Sequence, residues 1–253
     1  MSNLIRGEFY KLRKSKYFIG MINVSLIAGF LLVILWEKDR EMNPGYQGVI
    51  LNGAYALTDA FCGIMLTNFL FGLLASVFIV KDFKSSIISK SFIYGYKRNQ
   101  VLLSKIVVFM IFSLLLEMTY IVVLVTYVSL KHGFCEVLNL NIILALIRVI
   151  VLGIMYNLAT ISIILMTAII TKSNFCTIVS PLILLLTFSV AFPMRQYPYI
   201  SHWFSYLPYI TGMHAMARFA SKAEIIRCII SSSVTFIITI GGSLLYVKYE
   251  DIR

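Results

Sequence analysis

The residues that most often ligate metals or act as nucleophiles are few here: three histidines (His132, His202, His214) and four cysteines (Cys62, Cys135, Cys176, Cys228). Their spacing supports neither chemistry. No H-E-x-x-H places two imidazoles one helical turn apart, no C-x-x-C forms a ligand or redox pair, and no G-x-S-x-G presents a nucleophile. The spans also lack the paired aspartates that an intramembrane protease needs. No catalytic residue and no metal site is expected, and the cysteines read as small apolar residues in or beside the spans. Two ionisable groups inside apolar runs remain, Glu117 and Arg148. Such groups are costly in lipid and face a partner or a water-filled cavity. Spans running in opposite directions put both in the outer half of the bilayer, where Arg148 could reach Glu117. That pair reads first as an interhelical tie and second as part of a translocation path. Asn23, Asn68 and Asn157 read as interhelical hydrogen-bonding residues.

The charged chemistry is concentrated elsewhere. Between Lys81 and Lys105 the chain carries Lys81, Lys84, Lys90, Lys97, Arg98 and Lys105 against one acid, Asp82. Lipid does not accept that charge density, so the segment is expected in water or among headgroups as a docking loop. Phe83, Ile87, Ile88 and Phe92 give it a short amphipathic piece, and Tyr94-Gly95-Tyr96 turns the chain back.

The elements that must position these residues follow from composition. Of 253 residues, 60% are hydrophobic and 13% charged, and the mean hydropathy is +0.89. Soluble domains carry about twice that charge. The net charge of +11 falls beside apolar runs, which fits the positive-inside effect and anionic lipid rather than nucleic acid.

The expected fold is an all-α membrane protein forming one transmembrane domain over 1–253. Residues 2–15, with Leu4, Ile5, Phe9 and Leu12 in helical phase, are expected as an interfacial helix with its apolar side on the acyl chains. Six spans are expected at about 17–36, 58–80, 106–130, 141–171, 175–192 and 225–247, with the cytoplasmic docking loop at 81–105. The first run ends in Trp36-Glu37-Lys38-Asp39 rather than a small-residue cleavage site, so it is expected to stay as an anchor. Asn43-Pro44-Gly45 marks a turn in the loop that follows. Basic residues cluster in the N-terminal segment, the docking loop, Lys172 and the tail, which places both termini in the cytoplasm. Residues 195–224, rich in aromatics and proline, have no uninterrupted span-length run. They are expected as an outer re-entrant or flat helical segment with Trp203, Tyr206, Pro208 and Arg218 in the cap. A lid and a simple aromatic belt are equally compatible with that composition.

Together these features resemble the membrane subunit of ABC type-2 exporters. The resemblance rests on the N-terminal Glu8-Phe9-Tyr10-Lys11-Leu12-Arg13-Lys14-Ser15 and on the second-to-third loop. There Asp82 takes the acid position, Ser85-Ser86 a small pair, Lys97-Arg98 a basic turn and Ser104-Lys105 the close. Leu207-Pro208 and Ala217-Arg218 look like the element before the last span. Ser-Ser stands where Gly-Thr is usual, and the usual proline before the basic turn is missing. The resemblance implies a permease that docks a separate ABC ATPase through Glu8, Lys11, Asp82, Lys84, Ser85, Ser86, Tyr94, Lys97 and Arg98. It implies ATP and Mg in that partner and no cofactor in this chain, which lacks a G-x-x-x-x-G-K-[ST] loop. It also implies a second membrane subunit, identical or related, and a multi-pass location in a bacterial cell membrane. The expected function is export of membrane-active or antimicrobial peptides or other amphipathic substrates. A drug, lipid or polysaccharide exporter is the alternative, followed by an ATP-independent channel or scaffold.

Overall fold

A computed structural model describes residues 2–42, 52–85, 87–135, 139–191, 205–217 and 219–249. Among these, all regular structure is helical: α1 (Ser2–Arg13), α2 (Lys16–Met42), α3 (Gly53–Cys62), α4 (Ile64–Ala75), a π-helical turn (Ser76–Val80), α5 (Lys81–Lys84), α6 (Ile87–Ile93), α7 (Arg98–His132), α8 (Leu140–Thr171), α9 (Asn174–Ala191), α10 (Pro208–Met216) and α11 (Lys222–Tyr249). Among the described residues, four helices are long and apolar enough to cross a membrane: Lys16–Leu35, α7, α8 and α11. Their outward faces carry large apolar side chains such as Ile27, Phe30, Val122, Ile147 and Ile237. That surface suits lipid, where no hydrophobic penalty attaches to it.

The expected second span is broken. α3 and the helix that follows it meet at a 45° bend, and only together are they of spanning length. The break falls at Gly63, where a Cβ would lie 2.0 Å from the Tyr120 hydroxyl oxygen and 3.2 Å from the Ala60 carbonyl. A side chain there would push α3 off α7, so glycine allows the approach. The far end of α3 is tied down by its own first turn. Asn52 caps it by accepting from the Tyr55 N–H at 3.0 Å, while the N–H groups of Gly53 and Ala54 donate to the carbonyls of Gly133 and Phe134 at 3.0 Å. Two N–H groups without intrahelical partners are thus satisfied by the α7–α8 turn.

Helix α9 is shorter and holds Pro181 in its interior. Proline cannot donate to the carbonyl four residues earlier, Thr177. The Ser180 hydroxyl donates to that carbonyl instead, at 2.9 Å. The same face meets Gly72 of α4, where a Cβ would stand 2.9 Å from Pro181 and 3.1 Å from the Thr177 carbonyl. α8 ends on Lys172, in the left-handed region at φ 49°, and the Lys172 N–H closes the helix on the Ala168 carbonyl at 3.2 Å. α11 starts with a capping box: Glu224 accepts from the Ser221 N–H at 2.7 Å, and its own N–H donates to the Ser221 hydroxyl.

Two expectations change and a third is narrowed. The apolar face of α1 packs on the bundle, not on acyl chains: Leu12 is buried and the Phe9 ring lies 5.2 Å from that of Phe112 on α7. A partner helix offers that face the same apolar area that lipid would, together with an ion pair (below). The docking loop is largely helical, and residues 98–105 form the first two turns of α7. The segment before the last helix, expected as re-entrant or flat at the outer face, turns inward over its described residues. α10 enters the interior with Pro208, Tyr209, Gly212 and Met216 buried, and Pro208 opens it at a position where its missing N–H costs nothing. The Asn43-Pro44-Gly45 turn and Phe192 lie outside the described residues.

Gly153 on α8 lets the Phe61 ring of α3 pack directly on that helix, since a Cβ would fall 2.6 Å from the ring. Gly153→Ala is therefore expected to destabilise by about 1–3 kcal/mol through overpacking. Gly241→Ala, where a Cβ meets nothing within 4 Å, should be neutral or stabilising. Thermal unfolding of the two variants in detergent checks the contrast; equal losses would count against this packing.

Candidate functional site

The basic end of the bundle is built around Lys105. It lies two turns into α7 and is 1% exposed, a burial that a lysine tolerates only when its charge is met. Its Nζ donates to Glu8 Oε1 of α1 at 2.7 Å and to Asp82 Oδ2 of α5. Lys11, one turn after Glu8, also donates to both oxygens of Asp82, at 2.6 and 2.5 Å. Two acids and two amines thus form a chain Glu8–Lys105–Asp82–Lys11 with no net charge. The π-helical turn before α5 brings the Phe78 ring beneath both amines, 5.1 Å from Lys105 and 5.8 Å from Lys11. These contacts lock α1, α5 and α7 into one unit.

Of the nine residues expected to dock a partner, Glu8, Lys11 and Asp82 are engaged in this internal network. Asp82 is 1% exposed, so it cannot present its carboxylate outward. Ser86 lies outside the described residues. The groups that do face outward are Lys84, Ser85, Tyr94 and Lys97, with Arg98 half-buried over the Phe92 ring at 5.6 Å. Between α6 and α7 the chain turns at Gly95 (φ 85°), leaving Ile93 and Tyr94 82% and 81% exposed. An apolar and aromatic tip flanked by cations projects from a helical base. The α8–α9 link joins the same end, because the Lys172 ammonium sits over the rings of Phe83 (5.2 Å) and Tyr246 (6.0 Å).

A second polar centre lies at the break in the second span. The last three carbonyls of α3 each accept a tyrosine hydroxyl. Tyr120 of α7 donates to Ala60 at 2.7 Å, Tyr156 of α8 to Phe61, and Tyr209 of α10 to Cys62 at 2.6 Å. Tyr209 packs its ring edge-on against Tyr156 and Phe188, at 6.0 and 4.3 Å. Leaving a buried carbonyl unmet costs about 1–3 kcal/mol. The Gly63 N–H also reaches the Ala60 carbonyl, at 3.1 Å; the three tyrosines, from three helices, add side-chain donors at this end and hold α10 to α3. One turn along α7 from Tyr120, Glu117 accepts from Asn157 Nδ2 of α8.

Glu117 and Arg148, expected as a pair, are therefore apart. Asn157 is nine residues beyond Arg148 on α8, a rise of about 13 Å. Arg148 instead donates to the Ala217 carbonyl at 2.8 Å, just past α10. Of the expected outer cap, Tyr206 is half exposed with its carbonyl on the Ser231 hydroxyl. That level is about 13 Å into α11. Pro208 is buried, and Trp203 and Arg218 lie outside the described residues. At the end of the bundle opposite α1, Glu37 accepts from the Lys131 amine and from the Tyr127 hydroxyl at 2.8 Å. Lys131, then Tyr127, hold its carboxyl below the usual range.

Membrane-length helices around an interior of hydroxyls, with an aromatic-basic projection at one end, define a polytopic membrane protein. A family model described as ABC-2 family transporter protein matches residues 4–192. The chain belongs to that family, the permease part of ABC transporters, whose members work with an ABC ATPase. No curated protein matches the chain.

Removing one partner from a buried ion pair leaves the others charged and unmet. Lys105→Ala should destabilise by about 3–5 kcal/mol, whereas Lys11→Ala, at a side chain 43% exposed, should cost about 1 kcal/mol or less. Detergent unfolding of both variants tests this, and a larger loss for Lys11 would place the anchor of the network elsewhere.

Proposed function

We propose that this chain is the permease subunit of an ATP-driven exporter, with the α6–α7 tip as the main contact of its ATPase. The observation that carries this reading is the pairing of an exposed tip with a buried base. Ile93, Tyr94 and Lys97 point outward, while α5 and α7, which flank that segment, are fixed to α1 by the Lys105 network. A handle of that kind transmits force, because displacement of the tip moves α1, α5 and α7 together. The short α8–α9 link at Lys172 is a second contact.

In this reading the tip lies in the cytoplasm with both termini, and six membrane crossings arise from α2, the bent α3–α5 unit, α7, α8, α9 and α11. Two such subunits, identical or related, pair with two ATPase subunits that hold ATP and Mg. Closure of the ATPase pair displaces the tips and rocks the spans between inward- and outward-open arrangements. The cargo is a membrane-active or antimicrobial peptide or another amphipathic molecule. Away from the Lys105 network, an interior of tyrosine, serine and threonine hydroxyls and asparagine amides around Glu117 suits such a cargo better than a strongly ionic one. The membrane is that of a bacterial cell.

Lys97→Glu with Arg98→Glu should abolish co-purification with the ATPase encoded beside this chain and stop transport. The unfolding temperature should fall only slightly, since Lys97 is exposed and Arg98 is outside the buried ion-pair network, resting on the Phe92 ring. Retained binding and transport in the double variant would end this reading.

A further inference from the structure

Glu117 and Asn157 are both fully buried, and the bond between them leaves one polar atom on each without a hydrogen-bond partner, Glu117 Oε2 and Asn157 Oδ1. An ionised glutamate and an amide carbonyl are both acceptors, so neither atom could satisfy the other. The surroundings offer no counter-charge. On its own helix Glu117 has Tyr120, and α8 brings Tyr156 beside Asn157. α3 brings Cys62, Asp59 and its carbonyl end, while α10 brings Tyr209. α2 contributes only the Ser25 hydroxyl, which donates to the Leu116 carbonyl at 2.8 Å. Glu8 and Lys11 of α1 and Glu37 of α2 are engaged at the two ends of the bundle, the first two in the Lys105 network and the third with Lys131. On α11, Arg227 lies over the Tyr206 ring. Among the described residues, none of the ion pairs includes Glu117. Buried among neutral groups, an ionised carboxylate here would be unfavourable.

One proton resolves both orphan atoms. A carboxylic acid O–H on Oε2 donates to Asn157 Oδ1 while Asn157 Nδ2 donates to Oε1, giving a cyclic acid–amide pair. We propose that Glu117 and Asn157 form a proton-binding site that clasps α7 to α8 beside the break in the second span. The proton is carried at neutral pH. Its release to water leaves a bare carboxylate against the carbonyl end of α3, so release accompanies a movement of α3 or α10 that lets water in. The inference stands on the interior of this chain alone and does not require the ATPase contact.

Infrared spectroscopy of the purified protein in lipid nanodiscs tests it. At neutral pH the wild type should show the carbonyl stretch of an undissociated carboxylic acid, shifted down in heavy water. Glu117→Gln should lose that band yet keep the fold, because its amide N–H replaces the acid O–H in the same pair. Asn157→Leu should keep the band but move it, as the acid loses its partner. Absence of the band from the wild type overturns the proposal without recourse to any variant; its survival in Glu117→Gln does so equally. Hydrogen exchange over residues 53–62, corrected for the intrinsic effect of pH, reads the linked movement. It should accelerate severalfold from mildly acidic to mildly alkaline pH in the wild type and stay level in Glu117→Gln. An identical response in both proteins would sever release of the proton from movement of α3.

Discussion

A helix that stops inside an apolar bundle leaves carbonyl oxygens with no water to meet them. Everything in the interior of this protein is arranged around that constraint. Ala60, Phe61 and Cys62 end α3, and their carbonyls are met by Tyr120, Tyr156 and Tyr209. Each phenol arrives from a different helix, so one local need for donors fixes the relative positions of α3, α7, α8 and α10. It also explains why the Pro208 segment is drawn inside the bundle: its tyrosine is the third donor. Gly63 and Gly212 serve the same end, since a Cβ at either would collide with Tyr120 or Tyr156.

The basic end obeys a different rule. Water is near enough to solvate the tip, yet Lys105 and Asp82 are withdrawn from it. Their burial is tolerated because Glu8 and Lys11 complete a neutral chain of hydrogen-bonded charges. Such a chain is selective about geometry, as the amines must fall between carboxylates supplied by separate helices. The π-helical turn supplies the register, carrying Asp82 and Phe78 round to the α1 side. The two centres share α7: Lys105 near its start and Tyr120 ten residues after Met110 sit on one continuous helix. A rigid rod therefore runs from the basic tip to the broken span.

Long apolar runs announced most of the architecture, because a spanning helix must be apolar for about twenty residues whatever it packs against. The lone acid Asp82 among cations also marked the basic segment as special. What could not be read was the direction of side chains. Nothing in the order of residues says that Asp82 and Lys105 turn inward, since Lys84 and Lys97 in the same segment turn outward. The break at Gly63 was hidden inside an unbroken apolar run, where glycine is common. Tyr120 and Tyr156, in the middle of apolar stretches, were the available hint: a phenol there needs an acceptor. Arg148 and Glu117 misled because charge invites pairing, whereas position along α8 forbids it and Asn157 is nearer.

Helix α9 carries a further implication. At Thr177 and Pro181 its ladder already lacks one backbone bond, and the Ser180 hydroxyl covers the gap. Bending there would sacrifice no main-chain partner. A side-chain hydroxyl can follow its carbonyl through a change of angle that a rigid amide could not. Helix α9 is pre-cut for articulation, with the Gly72 contact on α4 as the smooth surface over which its two halves can pivot.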